Sequence, residues 1–168
     1  MYYLKKFLPI YALKKIFYSI VYSHLNLHIL IWGGACFTHT NPLTISVNKA
    51  IRNIHRGEHN TITKYKKLRI LTVSQIYDLR LGEFMYKYLT LNERQLHFNI
   101  TDEITLKHNY NTRNHDKFIP PPIQTKTNRR FFIYNAVNLW PNIPDNIKNS
   151  SSLYSFRSQF KSQYFKID

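Results

Sequence analysis

The sequence predicts a mainly α-helical protein, in which a small helical bundle is followed by an extended loop and a C-terminal helical or irregular tail. Apolar residues recur with a helical period in several segments up to about residue 91. The period is lost over residues 92–130, where Asn, Thr and His are frequent, and a last helical stripe follows it. We therefore expect a helical subdomain at residues 1–91, a connection at 92–130 and a tail at 131–168.

The first helix is predicted from about Leu4 to Ile31, either continuous or broken at Pro9, and the Gly33-Gly34 pair ends it. Its apolar stripe consists of Leu13, Ile16, Phe17, Ile20, Leu27 and Ile31. The stretch from Ile16 to Phe37 raises the question of a membrane span, but polar side chains recur through it and would be costly in lipid. A buried helix is the favoured interpretation.

A second helix is predicted from Pro42 to Arg56, with Pro42 in the first turn, where its missing amide hydrogen is not needed. Gly57 ends this helix. Three cations recur along it at spacings of three and four, which puts them on one face: Lys49, Arg52 and Arg56. A short basic helix from Thr61 to Leu68 then carries Lys64, Lys66 and Lys67.

The next helix is predicted to start at a cap formed by Thr72 or Ser74 and to run to about Leu89. One of its faces is apolar and consists of Val73, Ile76, Tyr77, Leu81, Phe84, Met85 and Tyr88. Glu83 and Lys87 are expected to form an ion pair on the outer face, because residues four apart are neighbours on a helix.

The remainder of the chain is punctuated by proline. Pro120-Pro121-Pro122 favours an extended, polyproline-like piece within a connection long enough to indicate a function or partial mobility. The aromatic stretch from Arg130 to Trp140 fits either a strand or a short helix, and Pro141 and Pro144 are then expected to break the chain. A cap within Ser150–Ser152 starts the last helix, whose stripe is Leu153, Phe156, Phe160 and Tyr164.

The balance of charge is the strongest indication of function. The chain has 24 Lys and Arg against nine Asp and Glu, a net charge of +15 and an isoelectric point of about 9.9. Such a chain is expected to bind a polyanion, either nucleic acid or an anionic membrane. The predicted phosphate contacts are Lys49, Arg52, Arg56, Lys64, Lys66, Lys67 and Arg69, followed further along the chain by Arg113, Lys117, Lys126, Arg129 and Arg130. Tyr110, beside Arg113, is the predicted base-stacking residue.

No catalytic, metal-binding or cofactor-binding group can be singled out. The lone Cys36 can form no internal disulfide and no zinc cluster, which indicates a reducing compartment, cytoplasmic or nuclear. His24 and His28 would share a helix face, but no Glu lies between them as the metalloprotease pattern requires, so histidines packed in or near the core are favoured. We expect no enzyme activity, no cofactor and no small-molecule ligand.

Several strings of the sequence, taken in order, are similar to one known family. They are Leu13–Ile20 followed by Ile31-Trp32-Gly33, Asn48–Ile54, Lys67–Val73 followed by Gln75-Ile76-Tyr77, His108–Arg113, and an ending through Leu139-Trp140, Ile143-Pro144, Ile147-Lys148, Ser152–Phe156 and Phe160-Lys161. The sharpest is the string HNYNTR at residues 108–113. Over roughly residues 4–165 the chain resembles the region downstream of the polymerase palm in Jockey/CR1-like non-LTR (LINE) retrotransposon reverse transcriptases.

The resemblance implies a thumb-like helical subdomain, which in this family holds the template–primer duplex, followed by a C-terminal tail. The implied partner is RNA or an RNA–DNA hybrid. The family's paired metal-binding aspartates lie upstream of this region, and no adjacent Asp-Asp pair occurs here. The full-length relative would be an RNA-directed DNA polymerase, and this chain a non-catalytic fragment of it.

Two alternatives remain open. Pro141 stands where the family usually has Asn, and Arg129-Arg130 replace a Gly and a small residue. These departures favour a translated relic of a decayed transposon with no selected function. A basic peripheral membrane protein that uses Ile16–Phe37 is the other alternative.

Overall fold

The computed structural model describes residues 2–55, 60–90, 105–106, 118–119, 125 and 130–165. Within these ranges the chain is mainly helical, which confirms the fold class. The α-helices are α1 (Ile10–Ile16), α2 (Ser23–Asn26), α3 (Ile29–Trp32), α4 (Phe37–Ile54), α5 (Thr61–Leu68), α6 (Val73–Thr90), α7 (Phe132–Leu139), α8 (Asp145–Lys148) and α9 (Leu153–Gln163). Leu4–Lys6 and Trp140–Asn142 form 3₁₀ turns, and Phe17–Tyr22 is a π-helix.

The chain divides into two compact units. Unit 1 comprises Met1–Tyr77 and Lys161–Asp168, and unit 2 comprises Asp78–Phe160. Both boundaries fall inside helices, α6 and α9 respectively. The division into 1–91, 92–130 and 131–168 stays a prediction.

The first helix breaks at Pro9, whose backbone is extended, and then runs without interruption through α1, the π-helix and α2. It ends at Leu27, and His28 adopts a left-handed conformation (φ 52°) before α3 begins. Of the two alternatives for this helix, the break at Pro9 is confirmed, whereas its predicted continuation from Leu27 to Ile31 is wrong. His24 and His28 accordingly do not share one helix face.

Only two of the six residues in the predicted stripe of this helix are buried, and Ile16 is half-buried. Leu13 and Phe17 are buried, whereas Ile20, Leu27 and Ile31 are exposed. Burial instead follows residues at multiples of four positions along the chain, from Leu13 and Phe17 to Leu25 and Ile29. A π-helical turn contains more residues than an α-helical turn. The residues that follow the π-helix therefore face inward at other positions than an α-helical period predicts.

Helix α4 begins at Phe37, five residues before the predicted start, so the placement of Pro42 in the first turn is wrong. Pro42 lies inside the helix, where it removes only the amide that would bond the carbonyl of residue 38 near the helix start. The chain is extended at Cys36, and the amides of His39 and Thr40 both donate to the Cys36 carbonyl. Helix α4 thus starts on backbone hydrogen bonds rather than on a proline.

Helices α5 and α6 begin at side-chain caps. Asn60 accepts a 2.9 Å hydrogen bond from the Ile62 amide, and α5 has the predicted bounds. At α6 the Gln75 amide donates to Oγ1 of Thr72 (3.3 Å), while the Thr72 amide donates to Oε1 of Gln75 (2.9 Å). This reciprocal pair is a capping box. Of the two predicted caps, Thr72 is the one used.

Unit 2 is organised around Phe156. Its ring lies 4.8 Å from the ring of Tyr86 and 6.3 Å from that of Trp140, measured between centroids. Gly82 leaves the space for this cluster, because a Cβ there would come within 3.2 Å of the Phe156 ring. Tyr86 is fully buried, and its hydroxyl donates to the Ser150 carbonyl at 2.6 Å.

The aromatic stretch left open in the sequence is helical, because Phe132–Leu139 forms α7. Pro141 lies within the 3₁₀ turn that continues from α7, so it does not break the chain there, whereas Pro144 precedes α8 as expected. Ser152 accepts a hydrogen bond from the Ser155 amide, which confirms the cap of α9.

Glu83 is the main correction in unit 2. It is 5% exposed rather than on an outer face. Its carboxylate accepts hydrogen bonds from Arg80 and Arg157. Helix α6 is buried on nearly every side, so the outer face that the periodicity assigned to Glu83 is not there.

Within the predicted connection, Thr105–Leu106 (β1) pairs antiparallel with Phe118–Ile119 (β2), in the register Thr105 to Ile119. This short pairing was not predicted. The polyproline-like piece at residues 120–122 lies outside the described residues.

Candidate nucleic-acid interface

Six of the ten main predicted nucleic-acid-binding residues lie in the described part of the chain. Five belong to unit 1, namely Lys49, Arg52, Lys64, Lys66 and Lys67, and the sixth, Arg130, belongs to unit 2. The other four lie outside the described residues: Arg56, Tyr110, Arg113 and Arg129. The structure therefore bears mainly on the cations of α4 and α5.

Helices α4 and α5 are joined by two side-chain hydrogen bonds. The Tyr65 hydroxyl donates to Oδ1 of Asn48 at 2.8 Å, and Nε of Arg52 donates to Oγ1 of Thr61 at 3.1 Å. Arg52 is exposed, as is Lys49 one residue beyond Asn48. The two bonds hold the cations of α4 at a fixed place relative to α5.

The pKa of the Tyr65 phenol is raised to about 12, mainly because burial disfavours its charged form, and the positive charge of Arg52 opposes part of that rise. Tyr65 therefore remains a neutral hydrogen-bond donor to Asn48 at any ordinary pH. The joint between α4 and α5 does not depend on a group that titrates near neutrality.

Lys64 does not belong to the exposed cations. It is 5% exposed, because Tyr65 and Leu68 fix the inward face of α5 and Lys64 lies at its edge. A lysine stem can be covered in this way along apolar surface. This burial does not favour the phosphate contact predicted for Lys64, which stays a prediction.

Lys66 and Lys67 point away from that inward face and are exposed. The helix ends at Arg69, which adopts a left-handed conformation (φ 51°) and is also exposed. Its carbonyl accepts a 3.1 Å hydrogen bond from the hydroxyl of Tyr18. The basic end of α5 is thereby tied to the π-helix near the N-terminus.

Next to that contact lies an open groove of about 580 Å³, lined by Tyr11, Lys14, Lys15, Tyr18 and Ser19. We call it the tyrosine–lysine groove. The sequence analysis missed it, because neither Lys14 nor Lys15 is among the predicted phosphate contacts. The signal that could have found it is the spacing from residue 11 to 14, 15, 18 and 19, which defines one helix face.

Positive charge is concentrated in unit 1. That unit contains 13 of the 24 Lys and Arg residues and only Glu58 and Asp168 of the nine carboxylates, and so carries +11 of the net +15. Its described residues, 2–55, 60–77 and 161–165, include no Asp or Glu at all. In unit 2, by contrast, Glu83 binds two arginines and Asp145 binds Lys148.

Among the described residues, no group of three or more His, Cys, Asp or Glu side chains could hold a metal ion. In the same part of the chain no helix is long and apolar enough to cross a bilayer. His24 lines a second cavity of about 450 Å³, whose walls include Leu25, Trp32 and Val47. The described part of unit 1 offers cations and aromatic rings, which are groups that can contact an anion.

Comparison of the chain with protein-family models, with curated proteins and with solved structures finds no match. The resemblance to non-LTR reverse transcriptases therefore stays a prediction.

Proposed function

We propose that this chain binds nucleic acid without catalysing a reaction, as the thumb-like and tail region of a non-LTR retrotransposon reverse transcriptase. RNA or an RNA–DNA hybrid is the ligand class that the sequence resemblance implies. The single observation that carries the binding is the separation of charge, since unit 1 holds +11 of the net +15. Because unit 1 has so few carboxylates, its positive charge attracts external anions.

The exposed cations of α4 and α5 suit a repeating polyanion better than a single small anion. Lys49 and Arg52 lie on one helix and Lys66 on the other, and the two helices are tied together. Cations held at fixed separations can each neutralise one phosphate and release its condensed counterions. Binding of this kind is strong at low salt and declines linearly on a logarithmic salt scale.

Arg52 is the best-placed of these cations. Its Nε is used in the bond to Thr61, the first residue of α5, which fixes the guanidinium beside the first turn of that helix. The terminal nitrogens of an arginine offer further donors in a planar fork that matches phosphate. The N-terminus of α5 adds positive potential at the same place.

A second candidate function has one specific observation in its favour. Ile20, Leu27, Ile31 and Phe37 are all exposed, within a region that has no acidic residue before Glu58. Exposed apolar side chains beside cations are typical of proteins that lie on anionic bilayers. This reading predicts flotation with phosphatidylserine-containing vesicles that persists at high salt, because apolar insertion is not screened.

The proposal is tested by fluorescence anisotropy of the purified full chain with a labelled RNA–DNA hybrid across a salt series, with heparin as competitor. We expect a steep salt slope that falls by about 0.7–0.9 when Lys49 or Lys66 is replaced by Gln, since each contributes one phosphate contact. Lys148→Gln, a cation of unit 2 that pairs with Asp145 and is not among the predicted phosphate contacts, is the control and should leave the slope nearly unchanged.

Equal losses in all three variants, with heparin as good a ligand as any nucleic acid, would mean that bulk charge alone drives binding. The relic alternative is tested separately by thermal unfolding. A broad, non-cooperative loss of helical circular dichroism would support a chain with no selected fold, whereas a single sharp transition would count against it.

A further inference from the structure

We propose that the tyrosine–lysine groove binds an unpaired nucleotide segment, with a base stacked on Tyr11 or Tyr18 and the adjoining phosphates on Lys14 and Lys15. This inference rests on the proposed nucleic-acid binding and adds to it a distinct subsite for single-stranded RNA or DNA. It involves side chains that the cations of α4 and α5 do not include.

The groove lies on one face of the helix formed by α1 and the π-helix. It is a shallow groove of about 580 Å³ that is open to solvent along the helix surface. Nζ of Lys15 lies 6.0 Å from the centroid of the Tyr11 ring. Cation and ring are thus close enough to contact one nucleotide together.

The two tyrosines of the groove differ in exposure and in how they are held. Tyr11 is 67% exposed, so its ring has a face open to solvent. Tyr18 is held in place, because its hydroxyl donates to the Arg69 carbonyl and its ring lies 5.1 Å from that of Tyr22, measured between centroids. Burial raises the pKa of Tyr18, with a smaller contribution from Tyr22, so the phenol stays neutral beside an anionic ligand. One ring is fixed and the other is accessible.

The charge of the groove selects an anion. Both titratable side chains with a full charge at its edge are lysines, and the described part of unit 1 contains no carboxylate that could compensate them. Tyrosine rings and lysine methylene groups form its walls. A phosphate-bearing ligand with a flat aromatic group meets both requirements, and a nucleotide is such a ligand.

Stacking favours an unpaired strand over a duplex. The base faces of a duplex are covered by their neighbours, so a duplex presents only its backbone and the base edges in its grooves. In an unpaired segment each base has a free face, and stacking on an aromatic side chain tolerates any sequence. The groove should therefore bind single strands without strong base preference.

The test uses the full chain with a labelled oligouridylate and an RNA–DNA hybrid of equal length. Tyr11→Leu keeps an apolar side chain but removes the ring, and we expect it to weaken oligouridylate binding about 10-fold while hybrid binding changes little. Tyr11→Phe keeps the ring and should bind like the wild type. Tyr154→Leu, at an 81% exposed tyrosine of unit 2, is the matched control.

Photocrosslinking of a 4-thiouridine-labelled strand, followed by peptide mapping, gives an independent readout. Crosslinks at Tyr11 or Tyr18 are expected. An oligouridylate affinity that is the same in Tyr11→Leu and in the wild type, with crosslinks elsewhere, overturns the groove proposal but leaves the proposed function standing. Failure of the wild type to bind either ligand removes both.

Flotation with phosphatidylserine vesicles tests whether the groove contacts a membrane instead of a nucleotide segment. If wild-type protein floats with them, and Tyr11→Leu abolishes flotation but not oligouridylate binding, the groove faces a bilayer and the nucleotide proposal is wrong. If oligouridylate displaces the protein from the vesicles, and Tyr11→Leu weakens that displacement, the nucleotide proposal is supported.

Discussion

Arg157 of α9 binds Glu83 of α6 through two parallel hydrogen bonds, Nε to Oε1 at 2.8 Å and Nη2 to Oε2 at 3.1 Å. The two residues are 74 positions apart, and Arg80 donates to the same carboxylate at 2.6 Å. A planar guanidinium that meets a carboxylate in this way gives both strength and a fixed orientation. The pair thus connects the first and the last helices of unit 2.

Replacement of Arg157 by Leu should destabilise unit 2, because it leaves the buried carboxylate of Glu83 with one fewer partner. We expect a loss of about 3 kcal/mol, the lower end of the range for a broken buried pair, since Arg157 itself is partly exposed. Urea unfolding followed by circular dichroism measures it. The double variant Glu83→Leu/Arg157→Leu should recover part of the loss, and a double variant less stable than Arg157→Leu would contradict this account.

The capping box at the start of α6 makes a second prediction. Thr72→Ala removes the acceptor of the Gln75 amide and should lower the free energy of unfolding by about 1 kcal/mol. Thr72→Asn, which also caps well, should restore most of it. If Ala and Asn were equally stable in chemical denaturation, the hydroxyl of Thr72 would not be acting as a cap.

Tyr65 predicts a loss of stability in alkali. Its folded pKa of about 12 lies above the ordinary value of 10.0, so the folded state holds the proton more tightly than the unfolded state. The contribution of Tyr65 to the free energy of unfolding is complete below pH 10 and is lost as the pH rises through 12. This loss amounts to at most roughly 2–3 kcal/mol. Urea midpoints measured from pH 8 to 11.5 should fall more steeply in the wild type than in Tyr65→Phe. Parallel curves would refute the assignment.

Lys64 and Lys66 should behave in opposite ways although they are two residues apart. Lys64→Met keeps the buried stem and removes only the ammonium group, so it should leave nucleic-acid affinity unchanged and hardly change the melting temperature. Lys66→Met should reduce the salt slope of binding by about 0.7–0.9 and hardly change stability. A binding defect in Lys64→Met would show that Lys64 becomes exposed in the complex.

Local signals in the sequence predicted local structure well. Thr72 and Ser152 cap helices because the hydroxyl that accepts the amide hydrogen bond lies within three residues of its donor. The start of α5 at Thr61 also has a local cause, because Asn60 accepts the Ile62 amide hydrogen bond, although this cap was not among the predicted ones. Such signals need no knowledge of the rest of the chain.

The predictions were wrong where burial or the end of a helix depends on contacts with residues distant in the sequence. Glu83 is buried because Arg157 reaches it from the far end of the sequence, and no helical period contains that information. The π-helix shifts the inward face of the first helix, and His28 ends that helix without glycine or proline. For the candidate site, spacing found the cations of α4, and the spacing of residues 11, 14, 15, 18 and 19 could have found the tyrosine–lysine groove. The hydrogen bond from Tyr18 to Arg69, 51 positions away, has no such local signal.

The absence of carboxylates from the described part of unit 1 also affects how its stability responds to solution conditions. Its cations repel one another when the chain is compact, and dissolved ions screen that repulsion. Added salt should therefore stabilise unit 1, whereas it should weaken the ion pairs of unit 2. A bound polyanion should have the same effect as salt on unit 1, because its negative charges also reduce the repulsion between the cations and so stabilise the fold.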